Sequence, residues 1–396
     1  MEKEKKFERN GMDLKKDALK NFTIFTIVIS LVALLTHSYF RFLTALWIII
    51  GGIYIKKNGY KKTGFEKPIF IYILAISFSL VSAINWQYSL KEIYRHLFGF
   101  IAIFTVSQFS IDENQKRKYV DYCFKGVTVY YAIYSTLIVI GKIPSRFGDR
   151  VVPLDITPVE FSYIVGVIVI YNFSKSLLEK EVKIKMVDIV FFLLSIYIII
   201  LTKTRGAWIG IFISISAVYI LSAKEMIKNF LKLMGIFTLG LYGLVSFREN
   251  GIVKKYYERI MSISNTTSDY SNIGRLDAWK IAWERFKEKP LTGYGYKAKL
   301  TYESKTPWAT YSLEHPHNEI IALGVNTGVI GVLGYLYLMG VILYRGVKIR
   351  ENLYWLTMVG VTIFSITYGF VELLLQVSNS LFLFLFILSL ALTERK

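Results

Sequence analysis

Residues 186–222 read MVDIVFFLLSIYIIILTKTRGAWIGIFISISAVYILS. Two apolar runs, 186–202 and 206–222, flank the short polar break Thr202-Lys203-Thr204-Arg205-Gly206-Ala207-Trp208. A bilayer core about 30 Å thick needs ~20 mostly apolar residues per helix, with a range of roughly 17–25. The stretch therefore predicts two membrane helices joined by a tight hairpin. Ten further runs of similar character lie at 21–37, 40–55, 68–85, 96–111, 123–141, 159–174, 230–247, 318–344, 353–371 and 376–392. The fold class expected is an all-α polytopic membrane protein with about 12 transmembrane helices.

Composition supports this reading. Of 396 residues, 54% are hydrophobic and 19% charged, with a mean hydropathy of +0.42, more apolar surface than a soluble chain of this length can hide. A net charge of +19 would point to nucleic acid in a soluble protein. Here the basic residues sit between apolar runs, where the preference of Lys and Arg for the cytoplasmic side accounts for them, so no nucleic-acid partner is expected. The single cysteine, Cys123, excludes internal disulfides and any cysteine-based metal site.

Alternate connections carry 27 Lys and Arg on one side and 8 on the other, which predicts that both termini are cytoplasmic. The first run lacks a small-residue cleavage site and reads as a retained anchor. The chain divides into a cytoplasmic leader (1–20), helices 1–9 (21–247), a periplasmic cap (248–316), and helices 10–12 with a short tail (317–396). The cap exceeds the loop length at which charge governs translocation, about 60 residues, and is expected to face outward and to be helical. Within it Leu276, Trp279, Trp283 and Phe286 recur at helical spacing, on a helix that should stop before Lys289-Pro290. Ile252 to Ile263 forms a weaker amphipathic stretch, expected along the membrane surface.

Polar residues with chemical potential gather at the outer ends of these runs. His315-Pro316-His317-Asn318 opens the tenth run. It reads as a capped helix start with Asn318 at the cap, as a His-x-His metal site beside Glu314 and Glu319, or as the site of a histidine general base. Lys203 and Arg205 fit interfacial anchoring, but the tight hairpin fixes Arg205 in a way that suits bidentate contact with an anion. Arg275, preceded by Ser271-Asn272-Ile273-Gly274, reads as opening the cap helix, where a cation is unfavourable unless an anion binds, or as a surface arginine beside Asp277. Glu160 and Glu372, near outer helix ends, are costly against lipid and are expected to face a polar cavity. Gly293-Tyr294-Gly295 reads as a turn, since no strand precedes it.

The combination of Thr204-Arg205-Gly206-Ala207, Gly274-Arg275-Leu276-Asp277-Ala278-Trp279, Pro290-Leu291-Thr292-Gly293-Tyr294-Gly295, His315-Pro316-His317-Asn318 and Gly328-Val329-Ile330-Gly331 resembles the O-antigen ligase and polymerase family of bacterial membrane glycosyltransferases. Asn326 departs from the acidic residue expected in that pattern. The resemblance implies inverting transfer of a glycan from undecaprenyl diphosphate to an acceptor hydroxyl, at the periplasmic face of the bacterial inner membrane, with no cofactor and no metal. The acceptor is the lipid A-core for a ligase, another carrier-linked glycan for a polymerase, or a protein. On this reading His317 is the base, Arg205 and Arg275 hold the diphosphate, and His315, Asn318, Glu160 and Glu372 are secondary candidates. A transporter is the rival class, but its site should lie at the bilayer midplane among broken helices.

Overall fold

A computed structural model describes residues 2–36, 41–109, 112–148, 150–222, 246, 254, 257–259, 261, 270–305 and 310–394. In chain order these form α1 (Glu2–Leu35), α2 (Arg41–Asn58), α3 (Glu66–Ser77), a 3-10 turn (Phe78–Ser82), α4 (Trp86–Val106), α5 (Glu113–Val139), α6 (Pro158–Leu178), α7 (Val182–Leu201), α8 (Arg205–Ser222), α9 (Tyr270–Glu288), β1 (Tyr302–Lys305), β2 (Thr310–Leu313), α10 (Glu319–Lys348), α11 (Leu353–Gly369) and α12 (Ser378–Thr393). Among the described residues, α6, α7, α8 and α10 are long and apolar enough to cross a membrane, and Leu19–Leu35, α11 and α12 are shorter apolar helices. The chain is a multi-pass helical membrane protein. The expected ninth run, 230–247, apart from residue 246, and most of 252–263 lie outside the described residues.

The helices differ in what they bury. Along α6, α11 and α12 most side chains are buried, and these three form the middle of the bundle. On α7, by contrast, Val182, Met186, Val187, Val190 and Leu193 are exposed, the pattern of a helix facing lipid tails. Its one acid, Asp188, is turned inward and pairs with Lys125 at 2.7 Å and Lys175 at 3.0 Å, as a charge at membrane depth requires.

Among the described residues, connections gather at two ends. At one end Gln108 bonds the backbone of Lys61, Arg345 bonds the Thr63 carbonyl, and Arg117 meets Glu394 at 2.9 Å. At the other lie the α7–α8 hairpin, α9, the β-hairpin, the start of α10 and the α11–α12 linker. The antiparallel pair, with Tyr302 opposite Leu313, corrects the all-α expectation. Its strands are only four residues each, too short to leave a periodic signal.

Two further features go beyond what the pattern of apolar runs could show. The cap helix stops at Glu288, as expected, but the residues it buries completely are Ala278 and Ala282, whereas Leu276 and Trp283 are exposed. Small side chains allow close approach to Tyr302 and Val325, and this contact decides which face turns inward. The tenth run is a broken helix: α10 departs from helical geometry at Gly328 (φ 65°, ψ −172°). The turn Pro290–Gly295 fills the break. Tyr294 and Gly295 donate their N–H groups to the carbonyls of Val325 and Asn326, and Pro290 accepts from Val329. Groups orphaned by the break are thereby satisfied. A Cβ at Gly328 would collide with the Leu291 carbonyl, in a conformation open essentially to glycine alone. Gly328→Ala should therefore destabilise the protein by at least about 2 kcal/mol, seen as a lower midpoint of thermal unfolding in detergent. A midpoint equal to that of the unaltered protein would mean that the interlock is not needed.

Candidate active site

The site begins with backbone geometry at the start of α10. Asn318 caps the helix, its Oδ1 accepting from Ile321 N–H at 3.0 Å, while its Nδ2 donates to the Phe370 carbonyl at 2.9 Å. The next residue, Glu319, is buried and accepts from Leu374 N–H at 2.8 Å. Consecutive side chains thus clamp the α11–α12 linker on both sides of Glu372. Before the cap, His317 adopts a left-handed conformation (φ 49°), uncommon for a residue with a side chain. From there its Nδ1 donates to Glu372 Oε2 at 2.9 Å.

Glu372 is the centre of the arrangement. Its other oxygen accepts from Arg275 Nη2 at 2.6 Å. Burial alone would raise its pKa, but the His317 hydrogen bond and the Arg275 charge outweigh that and hold it below the ordinary carboxylate value. Arg275 is in the second turn of α9, which is already helical at Tyr270, so the expectation that it opens the helix is corrected. One turn on, Trp279 Nε1 donates to the Pro316 carbonyl at 2.7 Å. The same face of α9 therefore grips both halves of the site.

Arg205 is the first residue of α8. The hairpin before it is held by Ser162 Oγ, which donates to Thr204 Oγ1 at 2.8 Å, and by Arg259, which donates to the Lys203 carbonyl at 3.3 Å. Arg150 arrives from the connection between α5 and α6, its neighbour Val151 donating to the Leu201 carbonyl at 3.1 Å. A cavity of about 250 Å³ results, lined by Arg150, Arg205, Arg259, Arg275, Trp279 and Glu372 among others. Among the described residues, four arginines and one carboxylate line this cavity.

Arg150 and Arg259 are functional candidates that sequence reasoning missed. Arg150 looked like a topological charge, and Arg259 lay in a weakly patterned stretch, so only folding reveals them. Glu160 is not brought into this constellation: its N–H donates to the capping Thr157 Oγ1 at 3.3 Å, and that hydroxyl donates to its carboxylate at 2.9 Å. Among the described residues no group of three or more His, Cys, Asp or Glu is arranged to hold a metal ion.

His315 lies beside His317, ring centroids 4.2 Å apart, and its Nδ1 accepts from the His317 backbone N–H at 3.3 Å. Burial first, then the positive charge near it, pushes His315 down to about 4 from an ordinary 6.5. Between those values the unfolded chain binds more protons than the folded one, so the stability contributed by neutral His315 is present above about 6.5 and is lost as the pH falls toward about 4. His315→Gln should remove part of that loss, seen as a shallower fall in thermal midpoint across the window. An equal fall in both proteins would show that His315 does not titrate there.

Fold and site together define a multi-pass helical membrane protein with an arginine-lined cavity and a His–Glu pair at one end of its bundle. Residues 190–336 match the family model described as O-antigen ligase. An uncharacterized protein of Haemophilus influenzae is 25% identical over 241 residues, 54% of this chain and 58% of that one. An O-antigen ligase of Salmonella typhimurium is 25% identical over 169 residues, 40% of each chain. The chain spans about half the length of the curated relatives it matches. The matched segment contains the motifs at Arg205, Arg275, Gly293–Gly295 and His317, and it bears out the resemblance read from them.

Proposed function

We propose that the protein transfers an O-antigen-like glycan from undecaprenyl diphosphate to an acceptor hydroxyl, with the lipid A-core as the favoured acceptor. The observation that carries the reading is the arginine cavity beside the His317–Glu372 pair. Arginine supplies the planar fork that phosphate oxygens accept from.

In the proposed step the acceptor oxygen attacks the anomeric carbon. The acceptor O–H proton passes to His317 Nε2, the bond from the anomeric carbon to the diphosphate oxygen breaks, and the electron pair leaves with undecaprenyl diphosphate. Donation from Nδ1 to Glu372 selects the tautomer whose Nε2 lone pair is open, and the carboxylate stabilises the imidazolium that forms. Arg205 and Arg275, joined by Arg150 and Arg259, stabilise charge developing on the leaving group. A diphosphate already leaves well, so no second carboxylic acid is required to protonate it. Attack opposite the leaving group inverts the anomeric centre.

The same chemistry serves a polymerase or a protein oligosaccharyltransferase, which differ only in acceptor. Purified protein given the carrier-linked glycan and, separately, rough lipopolysaccharide, a second carrier-linked glycan or a protein acceptor should form product with the first. Product only with another acceptor would reassign the activity within the class, and substrate uptake into liposomes without transfer would point to a transporter.

The reading also puts the site at the periplasmic face of the inner membrane, with 248–316 outside and both termini inside. Lys280 is a suitable reporter, because its side chain on α9 is 80% exposed. With the buried Cys123 replaced, Lys280→Cys should react with an impermeant thiol reagent in intact spheroplasts. Reaction only after permeabilisation would reverse the orientation.

A further inference from the structure

A second cavity, of about 550 Å³, abuts the same clamped linker. Tyr88, Thr301, Glu314, His315, Asn326 and Gln376 contribute to its lining, and it shares no lining residue with the arginine cavity. The two meet along one seam. Val371 and Glu372 face the first cavity while Leu373 and Gln376 face the second, and Trp279 of the first bonds the carbonyl of Pro316 of the second.

The chemistry of the two cavities differs. Among the described residues no arginine lines the second. Its lysines are engaged: Lys297 pairs with Glu92 at 3.2 Å, and the Lys299 ammonium lies 5.0 Å from the centre of the Tyr88 ring. Two amides remain, Asn326 Nδ2 and Gln376 Oε1, at the long limit of 3.5 Å from each other, with the Thr301 hydroxyl and the Glu314 carboxylate. His315 adds one donor, since its Nδ1 accepts from His317 and the proton of the neutral ring is then on Nε2. Amides, a hydroxyl, a carboxylate and an aromatic ring suit the hydroxyl groups and C–H face of a sugar better than a phosphate. The volume lies within the range of small-molecule sites, about 300–1,000 Å³.

Displacement adds a geometric requirement. The attacking oxygen must approach the anomeric carbon opposite the departing diphosphate, so the acceptor belongs away from the arginines yet within reach of His317. We propose that the second cavity is the acceptor subsite, binding the sugar whose hydroxyl attacks, with His315 Nε2–H among its donors. This rests on the reading of the arginine cavity as the donor diphosphate site.

The test uses the full chain in lipid nanodiscs, with undecaprenyl-diphosphate-linked glycan as donor and rough lipopolysaccharide as acceptor. Thr301→Phe narrows the cavity from its exposed rim, and Asn326→Leu removes an amide from its wall. Each should raise the acceptor KM by about tenfold or more, equivalent to about 1.4 kcal/mol, while the Kd for undecaprenyl diphosphate stays within a factor of about two. Retained donor affinity also shows that the variants are folded. An unchanged acceptor KM in both variants would overturn the proposal, as would donor affinity falling in parallel in both, which would make the cavity part of the donor site. Absence of transfer by the unaltered protein with every acceptor would instead overturn the functional reading, and this inference with it.

Discussion

His317→Ala should lower the rate of glycan transfer by about 100- to 10,000-fold while leaving undecaprenyl diphosphate bound with nearly the original affinity. Loss of the base removes the group that takes the acceptor proton but none of the guanidinium contacts to the diphosphate. Glu372→Gln should fall in the same range. An amide still fills the space between Arg275 and His317, yet it brings no charge to stabilise the imidazolium and no longer enforces donation from Nδ1. Because the two side chains act as a pair, the double variant should lose little more than the worse single one. Multiplicative losses, measured in single turnover at matched protein abundance, would show that they act separately.

The second large effect concerns the arginines. Replacing Arg205 or Arg275 by Lys keeps the charge and removes the fork, so each should cost about 2–4 kcal/mol of transition-state stabilisation, the scale of a lost oxyanion donor. Alanine should cost at least as much. The two positions should differ in one respect. Arg275 also holds Glu372, so its loss should shift the pH dependence of transfer, while loss of Arg205 should leave the profile in place and lower it throughout. Near-normal transfer by both alanine variants would remove the cavity from the mechanism.

How much of this was legible beforehand depends on whether a feature is local. The hairpin around Arg205 follows from two runs and the polar residues between them, and the helix stop at Glu288 follows from Lys289-Pro290. Asn318 as a cap is equally local. Glu372 could be named as an acid that must avoid lipid, but its role as the shared acceptor of Arg275 and His317 comes from residues 97 and 55 positions away. Arg150 and Arg259 carried no signal that separates them from topological or surface charges. The break at Gly328 was hidden in a continuous apolar run, because the Pro290–Gly295 turn that satisfies its backbone lies in another part of the chain. On α9 the largest side chains marked an apolar face, yet close packing selected the smallest, Ala278 and Ala282.

The central claim is that His317 activates an acceptor for displacement of a lipid diphosphate without a metal. It is tested most directly by following glycan transfer from undecaprenyl diphosphate to rough lipopolysaccharide by the purified protein in excess chelator, with His317→Ala run alongside. The account predicts product from the unaltered protein under chelation, and almost none from His317→Ala although it binds the carrier. Activity that disappears with chelator and returns with added zinc, or normal transfer by His317→Ala, would contradict it.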